Sequence, residues 1–466
     1  MTLRLFSYNT WTRLNRIGER HSLKKFSKQR KNSAKEALMK KLWTAILCCL
    51  VLTGLVPLSY GSGFLIYEHG ASAMAMAGAF VALANNPSAI FHNPAGIAFL
   101  NGTQIYTGTT LITSKGSLSL PNWPDPTYKS VNQKSQWFYP STFYISHRFG
   151  EKMAAGFGFF SPYGLGTKWP KDYPLRYISY QDDMKTFFFN PAIAFKLSEN
   201  FSLGFGASYI YSTISFDLVE LVNLKPLNPF LGAYDVPINL KANGDAWGFN
   251  AGALYKGENF SFGLNWRSGF KIKFEGDLTL DTANIPAVVR PLFPTEGTAA
   301  TSFDFPHILG AGLAFNLTPK VLLSTDIHYV LWSSYDKYVV EVGVPGFANK
   351  EVTEDWKDSF IFRGGLEYKV NENFALRAGL LHDQTPQPVE SMDPVLPDAK
   401  RWALTGGFGY KKGYFVLDLA YQLELFSDRT SPNRNIYYLL SPKVNLVEGT
   451  YSTTAHLIGI SLGFVF

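Results

Sequence analysis

The sequence predicts an all-β protein: a 14-stranded antiparallel transmembrane β-barrel with a small N-terminal α-helical hatch plugging its lumen. Three observations carry that expectation. The chain ends on a strand in which Ile458, Ile460, Leu462 and Phe464 alternate with Gly459, Ser461 and Gly463, closing on Phe466. A terminal barrel strand needs such an apolar outward face. Beyond residue 61 there is no apolar run long enough for a membrane helix, yet alternation of period two recurs throughout. Short turns on one side also trade places with long connections on the other, the asymmetry of periplasmic turns and extracellular loops.

The N-terminal region reads as export machinery. Met39-Lys40-Lys41 is followed by an apolar stretch, Leu42 to Val56, and then Pro57-Leu58-Ser59-Tyr60-Gly61. A basic start, a short apolar run and small residues near the cut are the parts of a signal peptide, assigned here to 39–61. Residues 1–38 are polar and basic and read as a non-native or leader extension, with translation expected to start at Met39. Segment 1–61 carries 12 Lys+Arg against two Asp+Glu, whereas the whole chain is +7. The exported part is therefore slightly negative, and the basic balance implies no nucleic-acid partner. Both cysteines, Cys48 and Cys49, fall in the signal. An exported chain without disulfides relies on its hydrogen-bond ladder or core.

The strands follow from alternation. Phe201, Leu203, Phe205, Ala207, Tyr209 and Tyr211 alternate with small residues; Phe260, Phe262, Leu264 and Trp266 do the same. Val321, Leu323, Ile327 and Tyr329 oppose Ser324, Asp326 and His328; Phe360, Phe362, Leu366 and Tyr368 oppose Arg363 and Glu367. The polar face would line a lumen. Glu-Asn-Phe recurs at three junctions, ending at Phe201, Phe260 and Phe374, beside similar turns at 149–151, 317–320 and 411–413. These are tight hairpins. Their spacing leaves room for two strands and a long connection each, the connections reading as 217–244, 277–302, 337–357, 384–398 and 427–451. The expected strands are 103–114, 136–148, 152–162, 184–197, 201–217, 245–256, 259–275, 303–316, 320–334, 358–369, 373–383, 400–410, 414–425 and 452–466.

Residues 62–101 fit no strand. Ala71 to Ala84 is rich in alanine, a helix former, and Asn85-Asn86-Pro87-Ser88 and Asn93-Pro94-Ala95-Gly96 are helix-entry or turn signals. So short a piece cannot hold a core of its own. Its apolar faces are expected inside the barrel, 102–466.

The start Ser62-Gly63-Phe64, the Ala/Gly-rich stretch and Asn93-Pro94-Ala95 resemble the hatch of the FadL-type long-chain fatty acid and hydrocarbon transporters. Further matches are Ser161 to Thr167, Asn190 to Ser208, Trp247 to Gly252, Trp266-Arg267-Ser268, Pro397-Asp398 with Arg401-Trp402, and the terminal Phe466. The resemblance covers essentially all of 62–466. It implies a passive outer-membrane channel of a Gram-negative bacterium, capture of hydrophobic compounds in the lumen, and lateral exit through a gap in the wall. Partners implied are a long-chain fatty acid or other hydrophobic small molecule, outer-membrane lipid and lipopolysaccharide, and the barrel-assembly machinery reading the strand that ends in Phe466. The family also sets an expectation of a monomer.

Candidate residues follow. Pro162 cannot donate to a ladder, and Gly164 and Gly166 follow it. Either the strand ends near Ser161 or the wall kinks open there; the resemblance favours the kink. Asn93, Pro94 and Ala95 either cap a short helix or pack against that kink and gate it. The resemblance makes Phe64 a ligand-site candidate. Fatty-acid members of the family carry a basic residue on the fifth strand, where this chain has Tyr209 to Thr213 without one. Basic candidates elsewhere are Arg363, Arg377, Arg267 and Lys337, each either receiving a carboxylate or paired with a lumen acid. The ligand is thus a fatty acid or, in the alternative, a neutral aromatic hydrocarbon; a general porin fits less well because of the hatch. No metal-ligand spacing, cofactor motif or nucleophile–base pair is present in the sequence, so no cofactor and no enzyme activity are expected. Long outer loops leave an adhesin or phage-receptor role open.

Overall fold

The computed structural model describes residues 63–466 except 346, 433, 437–443 and 447. The expected leader and signal lie outside the described residues. Fourteen wall strands form one antiparallel sheet: β1 Thr103–Ser119, β2 Ser141–Phe149, β3 in two pieces Met153–Phe160 and Gly164–Lys168, β4 Gln181–Lys196, β5 Phe201–Asn223 and β6 Ala233–Lys256. Then come β7, Phe260–Arg267 and Phe270–Leu280; β8, Glu296–Phe305 and Ile308–Thr318; β9 Val321–Val330 and β10 Ser359–Lys369. The last four are β11 Phe374–Asp383, β12 Arg401–Lys412, β13 Phe415–Phe426 and β14 Gly449–Val465. The sheet closes because β14 pairs with both β13 and β1, from Gln104↔Val465 to Ser119↔Thr450. Phe466 completes the seam: its N–H donates to the Thr103 carbonyl at 2.8 Å and its carbonyl accepts from Thr103 N–H at 3.1 Å. Closure leaves no edge to satisfy in lipid.

The alternation sorts residues as expected. Phe205, Phe262, Leu264, Leu366, Leu404 and Ile458 are exposed on the outer face, whereas Ser208, Ser324, Asp326 and Ser461 are buried inside. Turns of the Glu-Asn-Phe type join β4 to β5, β6 to β7 and β10 to β11, all at one end. At Gly150 and Gly413 the turns take φ of +65° and +59°, which glycine adopts without a Cβ penalty.

Several strand limits differ from the sequence reading. β5 and β6 run on as a hairpin to Asn223↔Ala233, so the loop is only 224–232 instead of 217–244. Likewise β7 and β8 pair out to Thr279↔Glu296. Alternation continues beyond the membrane, and the true turn signal, Pro226 to Gly232, sits at the tip. β7 and β8 are also bent, at Ser268-Gly269 and at Pro306-His307. Pro306 cannot donate to the ladder, and Phe249 N–H leaves it to donate to Ser268 Oγ at 2.8 Å.

The hatch consists of short helical turns, α1 Ala71–Met74, α2 Ala89–His92 and a 3-10 turn Pro94–Phe99. It is buried within the barrel because its own polypeptide could not shield these alanines. The wall meets it with glycines. A Cβ on Gly204 would lie 2.3 Å from Ala95 N, one on Gly263 2.3 Å from Val81 O, and one on Gly379 2.6 Å from Ala77 N. Inward glycines thus let hatch backbone reach wall backbone, where side chains would hold it off.

Candidate functional site

Three features converge at the outer half of the lumen: a broken third strand, the N-terminal segment beginning at Phe64, and a cap formed by the loop between β11 and β12.

β3 breaks at Ser161-Pro162-Tyr163. Below the break it pairs with β2 and β4; above it, Gly164–Lys168 pairs only with β4, from Gly164↔Lys185 to Lys168↔Gln181. The vacated hydrogen-bonding edge is taken by the hatch. Ile66 N–H donates to the Pro162 carbonyl at 2.8 Å and Gly164 N–H donates to the Phe64 carbonyl at 3.1 Å, while Leu65 bridges Tyr163. Proline removes one donor here and the hatch uses the freed acceptor. Gly166 faces Phe138, whose ring would lie 2.2 Å from an added Cβ. The strand therefore resumes at Gly164 after the break.

Phe64 stands in an aromatic cage. Its ring centroid lies 4.8 Å from Trp332, 5.5 Å from Tyr335, 5.6 Å from Trp356, 5.8 Å from Phe305 and 6.1 Å from Tyr163. Gly63 has φ +58°, and a Cβ there would sit 2.3 Å from Trp356. The adjoining cavity holds about 30 Å³, bounded by Leu165, Met184, Phe303, Tyr338 and Leu396, with Glu354 and Asp393 at its rim. That is space for one water and not for an alkyl chain, so a ligand must displace part of the lining. Burial, with Glu354 adding, holds the hydroxyls of Tyr335 and Tyr338 protonated well above the usual phenol range. Glu354 accepts a 2.9 Å hydrogen bond from Trp356 Nε1.

The cap, residues 384–400, is tied to the upper piece of β3: Trp169 Nε1 donates to the Pro394 carbonyl at 3.0 Å and Thr167 Oγ1 to the Val395 carbonyl at 3.3 Å. Arg429 clamps its base through the carbonyls of Asp398 at 2.7 Å and Gln387 at 2.8 Å. Burial raises the Asp398 carboxyl to about 6, opposed by the Thr385 hydroxyl and reinforced by Asp383.

The four basic candidates are not brought together. Lys337 lies in an outer hairpin, exposed and 3.3 Å from Glu351. Arg377 is neutralised toward the short-turn end by Glu367 at 2.8 Å and Asp418 at 2.5 Å. Arg363 is buried, faces Asp326 across β9–β10 and donates to the Ala77 carbonyl of the hatch at 2.9 Å. Arg267 is buried against the hatch and donates to the Phe91 carbonyl at 3.1 Å. Strand register sets the four apart, and of them Arg377 and Lys337 have acid partners.

The Asn-Pro-Ala turn lies against β5 and β6. Asn93 Nδ2 donates to the Val81 carbonyl at 2.9 Å and to the Ala253 carbonyl of β6 at 3.0 Å, its Oδ1 accepts from Ala95 N–H at 3.2 Å, and Ser202 of β5 donates to the Ala95 carbonyl. Pro94 and Ala95 press on Gly204 and Gly252. The turn caps the 3-10 segment and anchors it to β5 and β6, while the break is held by Phe64 to Ile66. Trp332, Tyr335 and Trp356 were missed in the sequence; their density just beyond the ends of β9 and before β10 is the signal that marks them.

Comparison with known proteins agrees with this architecture. Residues 57–466 match the family described as outer membrane protein transport protein (OMPP1/FadL/TodX). The long-chain fatty acid transport protein of Salmonella typhi is 24% identical over 434 residues, covering 88% of this chain and 95% of its own. Among solved structures, a Pseudomonas aeruginosa FadL homologue superposes with a TM-score of 0.77 at 18% identity, covering 87% of this chain and 100% of that one. The Pseudomonas putida toluene transporter TodX gives 0.66 at 16% identity, covering 86% and 99%. These structures share the fold. With a closed barrel, an inserted hatch and a family match across the whole described region, the chain belongs to the OMPP1/FadL/TodX family of outer membrane transport proteins.

Proposed function

We propose that the protein is a passive channel for hydrophobic compounds, capturing them against Phe64 and releasing them sideways at Ser161-Pro162-Tyr163. The observation that carries this reading is the pairing of Phe64–Ile66 with the broken strand. One short segment both lines the aromatic cage and occupies the gap, so a ligand that displaces Phe64 also draws the filling out of the wall. An apolar solute gains nothing from a polar route to the periplasm. Moving into the hydrocarbon zone is worth about 25 cal/mol per Å² of apolar surface.

Long-chain fatty acids are the substrate suggested by curated relatives named for that transport. A second reading, neutral aromatic hydrocarbons, is favoured by the cavity itself: its described lining offers aromatic rings and two carboxylates, and no lysine or arginine. The same reading takes the protein to act without catalysis, as a monomer among lipopolysaccharide, with Phe466 recognised by the assembly machinery.

Displacement of a fluorescent fatty acid from the purified protein by oleate and by toluene tests the substrate class. Displacement by oleate alone supports a carboxylate-reading site. Displacement by toluene, or no fatty acid binding, supports the neutral channel. Binding of neither sinks the transport reading.

A further inference from the structure

Arg267 ends the lower piece of β7 and is 6% exposed. Its guanidinium lies over three aromatic faces, 4.9 Å from the Phe91 centroid, 5.3 Å from Phe160 and 5.9 Å from Phe188. One of its donors hydrogen-bonds the Phe91 carbonyl. Two half-buried arginines of the wall are each held by two carboxylates: Arg377 by Glu367 and Asp418, Arg401 by Asp383 and Glu424. Among the described residues no carboxylate comes within ion-pair distance of Arg267. Aromatic faces offset part of the cost of burying such a charge, but a guanidinium with donors to spare remains the strongest anion receiver in a dry site.

Its place along the route is specific. Phe160 is the last residue before the break, and Phe188 stands 6.2 Å from Tyr163, which in turn stands 6.1 Å from Phe64. Arg267 is thus one ring layer beneath the cage, on the inner side of the break. The same two rings, Phe91 and Phe160, pack against His69 at 4.2 and 5.7 Å. His69 is fully buried, and its ring nitrogens make no hydrogen bond of good geometry. Two buried polar groups with unused capacity therefore share one aromatic floor.

We propose that Arg267, with His69 beside it, receives the carboxylate of an anionic amphiphile at the inner face of the third-strand break, while the Phe64 cage holds the alkyl tail. This rests on the hydrophobic-channel reading. It supplies the positive charge that the fifth strand and the outer cavity do not, and it makes the anionic head lead into the exit.

The test compares oleate with oleyl alcohol, equal in length and differing in charge, on the full protein and on Arg267→Met and Arg267→Lys. Expected is a loss of oleate affinity of about tenfold or more in Arg267→Met, oleyl alcohol binding held within about twofold, and partial recovery for oleate in Arg267→Lys. Parallel loss for both ligands, or no change for either, would overturn the proposal and leave Arg267 a latch on the Phe91 carbonyl. Absence of oleate binding to the unmodified protein would overturn the proposal, and absence of oleate, oleyl alcohol and toluene binding alike would overturn the channel reading itself. Should Arg267→Met lose heat-modifiable migration and so fail to fold, oleate labelled with 13C at the carboxyl decides on the unmodified protein. Its resonance should stay that of the ionised acid to lower pH than in detergent alone, and an unchanged titration overturns the proposal.

Discussion

At Gly252 an added Cβ would lie 2.0 Å from the side-chain oxygen of Asn93 and 3.0 Å from Pro94. A single missing methyl group thus sets how deeply the hatch sits. Gly252→Val should leave the barrel folded, since its backbone remains extended, but should cost hatch docking about 1–3 kcal/mol as overpacking. The check is single-channel conductance in planar bilayers with heat-modifiable migration as the control. An increase in conductance with normal migration is expected; unchanged conductance would mean the hatch does not depend on this contact. Asp326 makes the complementary point. Its Oδ2 accepts from Phe80 N–H at 2.6 Å and Val81 N–H at 2.8 Å, so a lumen carboxylate ties down hatch backbone that its own turns leave unpaired. Asp326→Asn should weaken that anchor by about 1.5–3 kcal/mol, the worth of a charged acceptor. Faster hydrogen exchange at Phe80 and Val81 would register it, and unchanged exchange would refute it.

At the scale of elements, β3 is the strand whose continuity is exchanged for a contact with another segment. Replacing Pro162 and Gly164 by valine together restores a donor and favours an unbroken strand. Uptake should fall severely while ligand binding persists; intact uptake by this double variant would remove the lateral exit from the mechanism. The cap over the cage carries a pH dependence of definite sign. Asp398 is raised to about 6 by burial, above the ~3.9 of an unfolded aspartate. Its neutral form is the one the packed cap prefers, so packing is tightest below about pH 4 and weakens as pH rises toward and through 6. Hydrogen exchange in 384–400, corrected for intrinsic rates, should speed up between pH 4.5 and 7. Asp398→Asn should flatten that dependence. A cap equally protected at both pH values would show that Asp398 does not govern it.

For the molecule as a whole, the closed ladder and the inserted hatch divide the work. Closure pairs the wall strands into one ladder except beside the upper piece of β3, where the hatch takes the edge, and the hatch fills a lumen that a barrel of this size would otherwise leave to water. Much of this was legible in the sequence. Ile458 to Phe464 declared a lipid-facing strand, the Glu-Asn-Phe turns counted the hairpins, and the alanine-rich 71–84 stood out as something other than wall. Such features are local: alternation, turn chemistry and helix propensity act over a few residues and leave their mark in order along the chain. The extent of β5 and β6 was not legible, because alternation does not stop where the membrane does. Nor was the division of labour among Arg267, Arg363, Arg377 and Lys337, which look alike in sequence. Only the register of one strand against the next decides that Arg377 meets Glu367 and Asp418 while Arg267 meets aromatic rings. Pro162 announced a break from its missing N–H, but that Phe64 to Ile66 would occupy the freed edge depended on folding the N-terminal segment back through the closed barrel. Sequence settles what each residue prefers locally; contacts between residues about a hundred or more positions apart are set by closure and packing, and in this protein those contacts make the site.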